Sequence, residues 1–127
     1  MLSEARVLAT IAVSDIAAGK VFYGEKLGLI QLAENPAGVT YQCGEGSRLF
    51  IYQSGTAGTN QATCATWNVT DVEAAVAELK TNGIMFEHYD LPGATLQGDI
   101  HVWEGDMAMK TAWFKDPDSN ILNVGSM

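Results

Sequence analysis

Two eight-residue stretches, 56 positions apart, nearly repeat one another. The first reads Ala9-Thr10-Ile11-Ala12-Val13-Ser14-Asp15-Ile16, and the second reads Ala65-Thr66-Trp67-Asn68-Val69-Thr70-Asp71-Val72. Each begins with residues suited to a β-strand and ends on Ser-Asp or Thr-Asp, the residue types that cap the first turn of a helix. The repeat therefore predicts two copies of one strand–helix module, and a chance match of eight residues is the alternative.

The residues after each repeat predict a helix and then several strands. Apolar side chains recur at helical spacing over 16–27 and 72–82, and Gly28 and Gly83 then stand where a left-handed glycine commonly ends a helix. Short β-type segments follow at about 29–34, 39–43 and 48–53 in the first half and at about 84–89, 99–104, 109–115 and 120–125 in the second. The pattern predicts an α+β fold of two βαβββ modules.

The domain organisation follows from length. The chain has 127 residues, which is the usual size of one domain. Residues 54–61 are small and polar, so they read as a linker, and each half of about 60 residues would be marginal alone. We predict a single domain over 1–127, with module one at about 5–53, the linker at 54–61 and module two at about 62–127.

Composition narrows the class of protein and its partners. Hydrophobic residues make up 47% and charged residues 17%, which is typical of a folded globular chain. Apolar runs are far shorter than the roughly 20 residues of a membrane span, and residues 1–6 lack a signal-peptide pattern, so we expect a cytoplasmic protein. The net charge of −8 disfavours nucleic acid and anionic membranes as partners but permits a small cationic ligand.

Three motifs carry a resemblance to a known superfamily. They are Val13-Ser14-Asp15-Ile16 with Phe22–Leu29, its repeat at Val69–Gly83, and the turn Trp113–Leu122, which contains Asp-Pro-Asp-Ser-Asn. In this order the chain resembles the vicinal oxygen chelate superfamily, which includes glyoxalase I, extradiol dioxygenases, fosfomycin-resistance enzymes and bleomycin-resistance proteins. Ser119 stands where that family's turn usually has glycine. The resemblance implies paired βαβββ modules that form a cup-shaped mixed sheet with the helices outside.

The resemblance also bears on metal binding. Members that use a metal hold one divalent ion with His, Glu or Gln on the first and last strands of each module. The matching positions here are Leu8, Phe50, Cys64 and Asn123. Leucine and phenylalanine cannot ligate, asparagine is a weak ligand, and a single cysteine suits an oxygen-preferring ion poorly. We therefore expect no metal and no cofactor, and the catalytic residues, if there are any, are unknown.

Strand alternation gives candidate ligand contacts. If Leu8 and Cys64 face the cup, Thr10 and Thr66 do so too, while the residues between them face the helices. With the aromatic residues of the other strands, the ligand-binding candidates are Thr10, Phe50, Tyr52, Cys64, Thr66, Trp103, Trp113 and Asn123. A register shift of one residue would reverse these faces, and a closed core filled by the same side chains is the alternative.

The stretch 81–109 contains no lysine or arginine. It holds Glu87, Asp90, Asp99, Glu104 and Asp106 among Phe86, Tyr89 and Trp103. Acids beside aromatic rings can bind an organic cation, although a solvated acidic loop has the same composition. His88 and His101 lie in this stretch as well, which leaves open a metal site outside the family pattern or a histidine base.

The function expected from these features is the binding of a small aromatic ligand, with or without a positive charge, in an aromatic-lined cup without a metal, as in sequestration or resistance proteins. Whether the protein is an enzyme stays open, with the balance against it. The alternatives are a metal-independent or atypical-metal enzyme of the lyase, isomerase or dioxygenase type, and a closed domain that serves protein interaction. By resemblance we expect a homodimer.

Overall fold

The computed structural model describes residues 1–126, apart from the side chain of Met107, and divides into two compact units. Unit 1 contains Met1–Gln61 together with Pro117–Asn120. Unit 2 contains Ala62–Asp116 and the final strand of the chain. A tight turn from the second half of the sequence therefore belongs to the first unit.

Unit 1 is a four-stranded sheet with one helical segment. Its elements are β1 (Ala9–Val13), α1 (Ile16–Gly19), a π-helical continuation (Lys20–Lys26), β2 (Ile30–Asn35), β3 (Gly38–Gln42) and β4 (Arg48–Gln53), with short 3₁₀ turns at Leu2–Glu4 and Gly44–Gly46. The strand order is β1-β4-β3-β2, in which β1 and β4 are parallel and the other pairs antiparallel. The strands predicted in this half are confirmed to within two residues.

The helical segment of unit 1 differs from the prediction of a regular α-helix over 16–27. The Asp15 carboxylate caps it by accepting from the Ala17 N–H, and Gly28 follows it at a φ of 74°. Beyond Gly19 the chain makes π-type hydrogen bonds, as from the Leu27 N–H to the Phe22 carbonyl. The wider turn lets two consecutive aromatic residues, Phe22 and Tyr23, both be buried, with their rings 5.0 Å apart and edge to face.

Unit 2 is built on the same plan with an added hairpin. Its elements are β5 (Thr63–Asn68), α2 (Val72–Thr81), β6 (Phe86–Glu87), β7 (Thr95–Gln97), β8 (Ile100–Trp103), a 3₁₀ turn (Gly105–Met107), β9 (Met109–Lys115) and β10 (Ile121–Ser126). The strand order is β5-β10-β9-β8-β7, with β6 paired to β9, and β5 runs parallel to β10. The α2 helix is as predicted, β6 is shorter, and β7 was not predicted.

Both units bury one face of the sheet under a helix. In unit 2, Trp67 stacks on Phe114 at 6.3 Å, and α2 covers this face with Val72 and Val76. In unit 1, Ile11 and Val13 are buried in the same way. The predicted face assignment is thus confirmed for Ile11 and Val13 of β1 and for Trp67 of β5. It does not hold at the start of β5, where a register irregularity at Cys64 breaks the alternation and Thr63 lines the same cavity as Thr66. The α+β fold with two modules of strand, helix and strands is confirmed.

Within unit 1, the turn Pro117–Asn120 is hydrogen-bonded to the first strand–helix junction. Asp118 accepts hydrogen bonds from the Ser14 N–H at 3.0 Å and from the Ser14 hydroxyl. The Asn120 side-chain amide donates to the Ala12 carbonyl at 2.8 Å. Ser14 is therefore engaged by this turn, and Asp15 rather than Ser14 caps the helix.

Replacing Ser119 with glycine should stabilise the protein. Ser119 has a φ of 71°, a left-handed conformation that costs a residue with a β-carbon roughly 1–2 kcal/mol. The Ser119→Gly variant should raise the free energy of unfolding by about 1 kcal/mol, measured by urea denaturation, because part of the gain is offset by the greater freedom of glycine in the unfolded chain. An equal or lower stability would contradict this account of the turn.

Candidate functional site

The positions that match the family's metal ligands carry side chains with other contacts. Leu8 is an exposed hydrocarbon and Phe50 is paired across the sheet with Thr10. The Cys64 Sγ donates to the Ile121 carbonyl at 3.3 Å. The Asn123 amide nitrogen donates to the Thr111 hydroxyl and, at 3.2 Å, to the Ala112 carbonyl. This donor set does not fit a divalent ion that prefers oxygen and imidazole ligands.

The open face of the unit 2 sheet, opposite α2, forms a cavity of about 280 Å³. Its wall includes the half-buried ring of Trp113, and Thr66 and Asn123 contribute polar groups. The cavity is also lined by Thr63, Met109, Lys110, Thr111, Gly125 and Ser126. An apolar wall with a few fixed polar groups is the usual make-up of a small-molecule site.

Trp113 is held in place by hydrogen bonding and by a buried aromatic cluster. Its indole N–H donates to the Thr63 hydroxyl at 3.1 Å. Its ring meets the edges of Tyr89 and His101, with centroids at 5.4 Å and 5.0 Å. His101 is 1% exposed, and its Nε2 accepts from the Tyr89 backbone N–H at 3.0 Å. Contacts of this kind fix one orientation of the indole before any ligand binds.

The candidates in unit 1 lie together on the open face of that sheet. Thr10 and Phe50 are partners in the β1–β4 pairing, and Tyr52 follows on the same face of β4. The Phe50 and Tyr52 rings are stacked, with centroids 6.3 Å apart. This face is apolar and exposed, since Leu8 is 42% and Ile30 60% accessible to solvent.

Trp103 lines a different cavity from the one that contains Trp113. Its indole N–H donates to the Pro92 carbonyl at 3.1 Å. The second cavity, of about 410 Å³, lies at the start of α2 and also includes Glu73, Glu104 and Lys110. Glu73 and Lys110 form an ion pair there. The structure therefore brings Thr66, Trp113 and Asn123 together around one cavity on the open face of unit 2. Cys64 lies outside its lining, at the register irregularity of β5, and Trp103 lines the other cavity.

Neither of the two cysteines is fully buried, and both are free thiols. Cys43 is half-buried, and Cys64 is exposed on β5. Partial burial of the sulfur and the nearby Asp116 carboxylate raise the pKa of the Cys64 thiol. A raised pKa is the opposite of what a nucleophilic cysteine needs, so the Cys64 thiol is suited to contact rather than to covalent chemistry.

The acidic stretch 81–109 is partly neutralised by lysines from outside it. Lys80 Nζ and His88 Nε2 bind the Asp99 carboxylate at 2.8 Å and 2.7 Å and hold its pKa below the usual value. Glu87 pairs with Lys115 at 3.3 Å. The absence of lysine and arginine from residues 81–109 is therefore partly compensated in the fold, because α2 and β9 contribute the lysines that pair with these carboxylates.

The histidines do not form a metal site with their neighbours. Within residues 1–126, no group of three or more His, Cys, Asp or Glu side chains is arranged to hold a metal ion. His88 is engaged with Asp99 at the surface, whereas His101 is buried against Trp113 and Tyr89. Among the same described residues, no helix is long and apolar enough to cross a membrane.

Several residues of the Trp113 cavity were missed from the sequence. Met109, Thr111 and Trp113 are two residues apart along β9 and therefore lie on the same face of the sheet. Asn123 and Gly125 share that face on β10 for the same reason. Extending the period-two argument from Trp113 and Asn123 would have found them. The contribution of Tyr89 and His101 had no such signal, because it depends on a loop that returns to β8.

Two modules of strand, helix and strands, each with one open sheet face, define the class of fold. Leu8, Phe50, Cys64 and Asn123 do not provide a set of metal ligands. A sequence model of the Glyoxalase/Bleomycin resistance protein/Dioxygenase superfamily matches residues 6–124. The chain belongs to this superfamily.

Solved structures agree on the fold. A glyoxalase family protein from Enterococcus faecalis superposes with a TM-score of 0.72 at 23% identity, over 99% of this chain and 100% of that one. Lactoylglutathione lyase from Agrobacterium tumefaciens gives a TM-score of 0.71 at 17% identity, over 97% and 93%. TnmS3, an antibiotic-binding protein from Streptomyces sp. CB03234, gives 0.64 at 22% identity, over 97% of both chains. No curated protein sequence matches this chain.

Proposed function

We propose that this protein binds a planar aromatic small molecule, with or without a positive charge, and does so without a metal ion, as a sequestration or resistance protein does. The observation that carries the proposal is the cavity on the open face of unit 2, where Trp113 is prearranged beside Thr66 and Asn123. A planar ring can stack on the indole while the hydroxyl and amide groups meet its polar substituents.

The character of the family's ligand positions supports binding over metal-dependent chemistry. Leu8 and Phe50 add apolar surface where a metal enzyme would need ligands, and the Cys64 thiol is not activated. TnmS3, which shares the fold, is described as an antibiotic-binding protein, so the architecture supports this kind of role. The ligand-binding roles of Thr10, Tyr52 and Trp103 stay predictions: Thr10 and Tyr52 lie on the open face of unit 1, and Trp103 lines a separate cavity of unit 2.

The aromatic ring of the ligand, rather than a positive charge on it, would be the main feature that the protein recognises. Asp99 and Glu87 are already paired with Lys80 and Lys115, which reduces the field that a cation would encounter. Matched neutral and cationic ligands with the same ring system should therefore bind with affinities within about tenfold of each other, a difference of about 1.4 kcal/mol. A larger preference for the cation would restore the acidic stretch as the recognition element.

The test is a fluorescence titration with a panel of planar aromatic compounds. All three tryptophans lie in unit 2, so a Trp67→Phe, Trp103→Phe double variant leaves Trp113 as the reporter. We expect saturable quenching at sub-millimolar concentration for members of the panel. Thr66→Phe, which fills the cavity from an exposed strand position, should weaken binding at least tenfold, whereas Thr81→Phe on the exposed end of α2 should leave it unchanged.

Three outcomes would replace the proposal. Turnover that resists a chelator would favour the metal-independent enzyme, and turnover lost on chelation, with metal found by elemental analysis, would favour an atypical-metal enzyme. Absence of quenching across the panel would favour a domain for protein interaction. Unchanged affinity in Thr66→Phe would place the ligand elsewhere.

We also propose that the protein acts as a cytoplasmic homodimer. The open face of unit 1 exposes the apolar side chains of Leu8, Ile30 and Tyr52. Burying this face against another copy of the chain would lower the free energy by removing apolar area from water. Light scattering at tens of micromolar should give twice the chain mass of 13.6 kDa. A monomer mass under these conditions would contradict the dimer and would leave the ligand proposal to be decided by the titration.

A further inference from the structure

A third cavity lies in unit 1, on the face of the sheet that carries the helical segment. Its volume is about 490 Å³. The walls are the apolar side chains of Ala17, Val21 and Leu29, and the floor is Tyr41. Val21 is 47% exposed although it is a large hydrophobic residue, so the apolar wall is accessible to a ligand. This cavity shares no residue with the one that contains Trp113.

The floor of the cavity carries a buried polar atom without a partner. Tyr41 is 1% exposed, and no hydrogen-bond partner for its hydroxyl is found among the described residues. Leaving such a group unsatisfied is costly, because it has given up its hydrogen bonds to water. Burial raises the pKa of Tyr41. The hydroxyl is therefore a neutral donor at physiological pH.

The glycine at position 24 leaves no side chain over this hydroxyl. Gly24 lies in the π-helical segment, and a β-carbon built on it would stand 3.6 Å from the Tyr41 hydroxyl oxygen and 3.6 Å from the ring. A larger side chain at this position would therefore fill the cavity directly over the hydroxyl. π-Helical turns inside helices occur frequently at functional sites, and here the turn places the glycine at the cavity wall.

Two of the charged groups near the cavity pair with each other. Lys20 binds Glu34 at 2.8 Å across the space between the helical segment and β2. Both are thus neutralised, and Gln31 adds an uncharged polar group to the lining. The Glu25 carboxylate also lines the cavity and disfavours an anionic ligand there. The apolar walls and the single buried hydroxyl donor are suited to an uncharged ring that carries one oxygen.

We propose that this cavity is a second binding site for a small uncharged cyclic molecule that bears one ketone or hydroxyl oxygen. The ring would lie against Val21 and Leu29, and its oxygen would accept a hydrogen bond from Tyr41. The inference is independent of the proposed function, since it concerns a separate cavity in the other unit.

The test is an NMR titration of the ¹⁵N-labelled full chain with cyclohexanone and with phenol as probes. We expect saturable shifts centred on the backbone amides of residues 17–29 and of Gln31 and Tyr41. Tyr41→Phe should weaken binding about three- to tenfold, the loss expected for one neutral hydrogen bond. Gly24→Leu should abolish the shifts by filling the slot.

Matched controls separate a binding role from a structural one. Tyr52→Phe removes a hydroxyl from an exposed tyrosine on the opposite face of the sheet and should leave the affinity unchanged. Tyr41→Phe should retain or raise the melting temperature, because it removes an unsatisfied buried group, so it remains informative even if Gly24→Leu does not fold. Thr66→Phe should not alter the shifts that either probe produces around Gly24, because Thr66 lines only the Trp113 cavity.

Two results would overturn the inference. One is the absence of saturable shifts around Gly24 with both probes at concentrations up to tens of millimolar. The other is an equal affinity of the wild type and Tyr41→Phe for both probes. Saturable shifts with only one probe would support the site. They would also show whether the Tyr41 hydroxyl donates to a ketone oxygen or to a phenolic oxygen.

Discussion

Replacing Phe114 with alanine should lower the free energy of unfolding by about 3–5 kcal/mol, which is the usual cost of deleting a fully buried phenylalanine. Phe114 is 1% exposed in the centre of unit 2. Its ring stacks on Trp67 at 6.3 Å and meets the edge of Phe86 at 5.7 Å. The neighbouring strands limit collapse into the space left behind. Urea denaturation followed by far-ultraviolet circular dichroism gives the measurement.

Phe50→Ala is the matched control for this prediction, because it removes the same atoms from a half-buried position. Phe50 lies on the open face of unit 1 beside Tyr52. We expect it to cost about 1 kcal/mol, since less apolar area returns to water. A cost equal to that of Phe114→Ala would mean that the open face of unit 1 is covered in solution, as a homodimer would cover it.

Gly38→Ala should destabilise the protein by about 3 kcal/mol, although it adds only one methyl group. Gly38 begins β3 and is buried against β4. A β-carbon at this position would overlap the Ile51 carbonyl oxygen and would stand 2.8 Å from the Phe50 ring. The carbonyl belongs to the backbone and cannot rotate away, so β3 and β4 would have to separate. Overpacking of this kind is at the upper end of its usual 1–3 kcal/mol range.

Gly55→Ala provides the control for backbone entropy. Gly55 has no atom within 4 Å of the position that a β-carbon would take. The substitution should change the free energy of unfolding by less than about 0.5 kcal/mol, as do most surface changes. If Gly38→Ala were as mild as Gly55→Ala, the close approach of β3 and β4 would not be a constraint on the fold.

The repeat predicted much of the fold because its pattern is local. Alternation along β1 placed Ile11 and Val13 on the buried face, and the paired aspartates Asp15 and Asp71 cap the helices as their positions indicated. Both facts follow from neighbours within a few residues, where periodicity and capping chemistry act. The domain boundaries and the ligand-binding role of the candidate residues stay predictions.

Other features depended on contacts that the sequence order does not indicate. The π-helical segment over Lys20–Lys26, in which Phe22 and Tyr23 are both buried, was not indicated by the apolar spacing, which predicted a regular α-helix. The acidic stretch lost its net field because Lys80 and Lys115 reach Asp99 and Glu87 from α2 and β9. Charge counted along the chain cannot anticipate a partner supplied by a neighbouring strand or helix.

The two modules, the class of fold and the buried face of β1 could be predicted from the chain alone, because strand alternation and helix capping are read over short distances. Which residues share a cavity could not, since it depends on which strands are neighbours in the sheet. Trp113 joins Thr66 and Asn123 because β9, β10 and β5 are adjacent, whereas Trp103 was assigned to another cavity by its position at the end of β8. The unsatisfied hydroxyl of Tyr41 likewise exists only because the helical segment buries it, and that burial is a property of packing rather than of sequence.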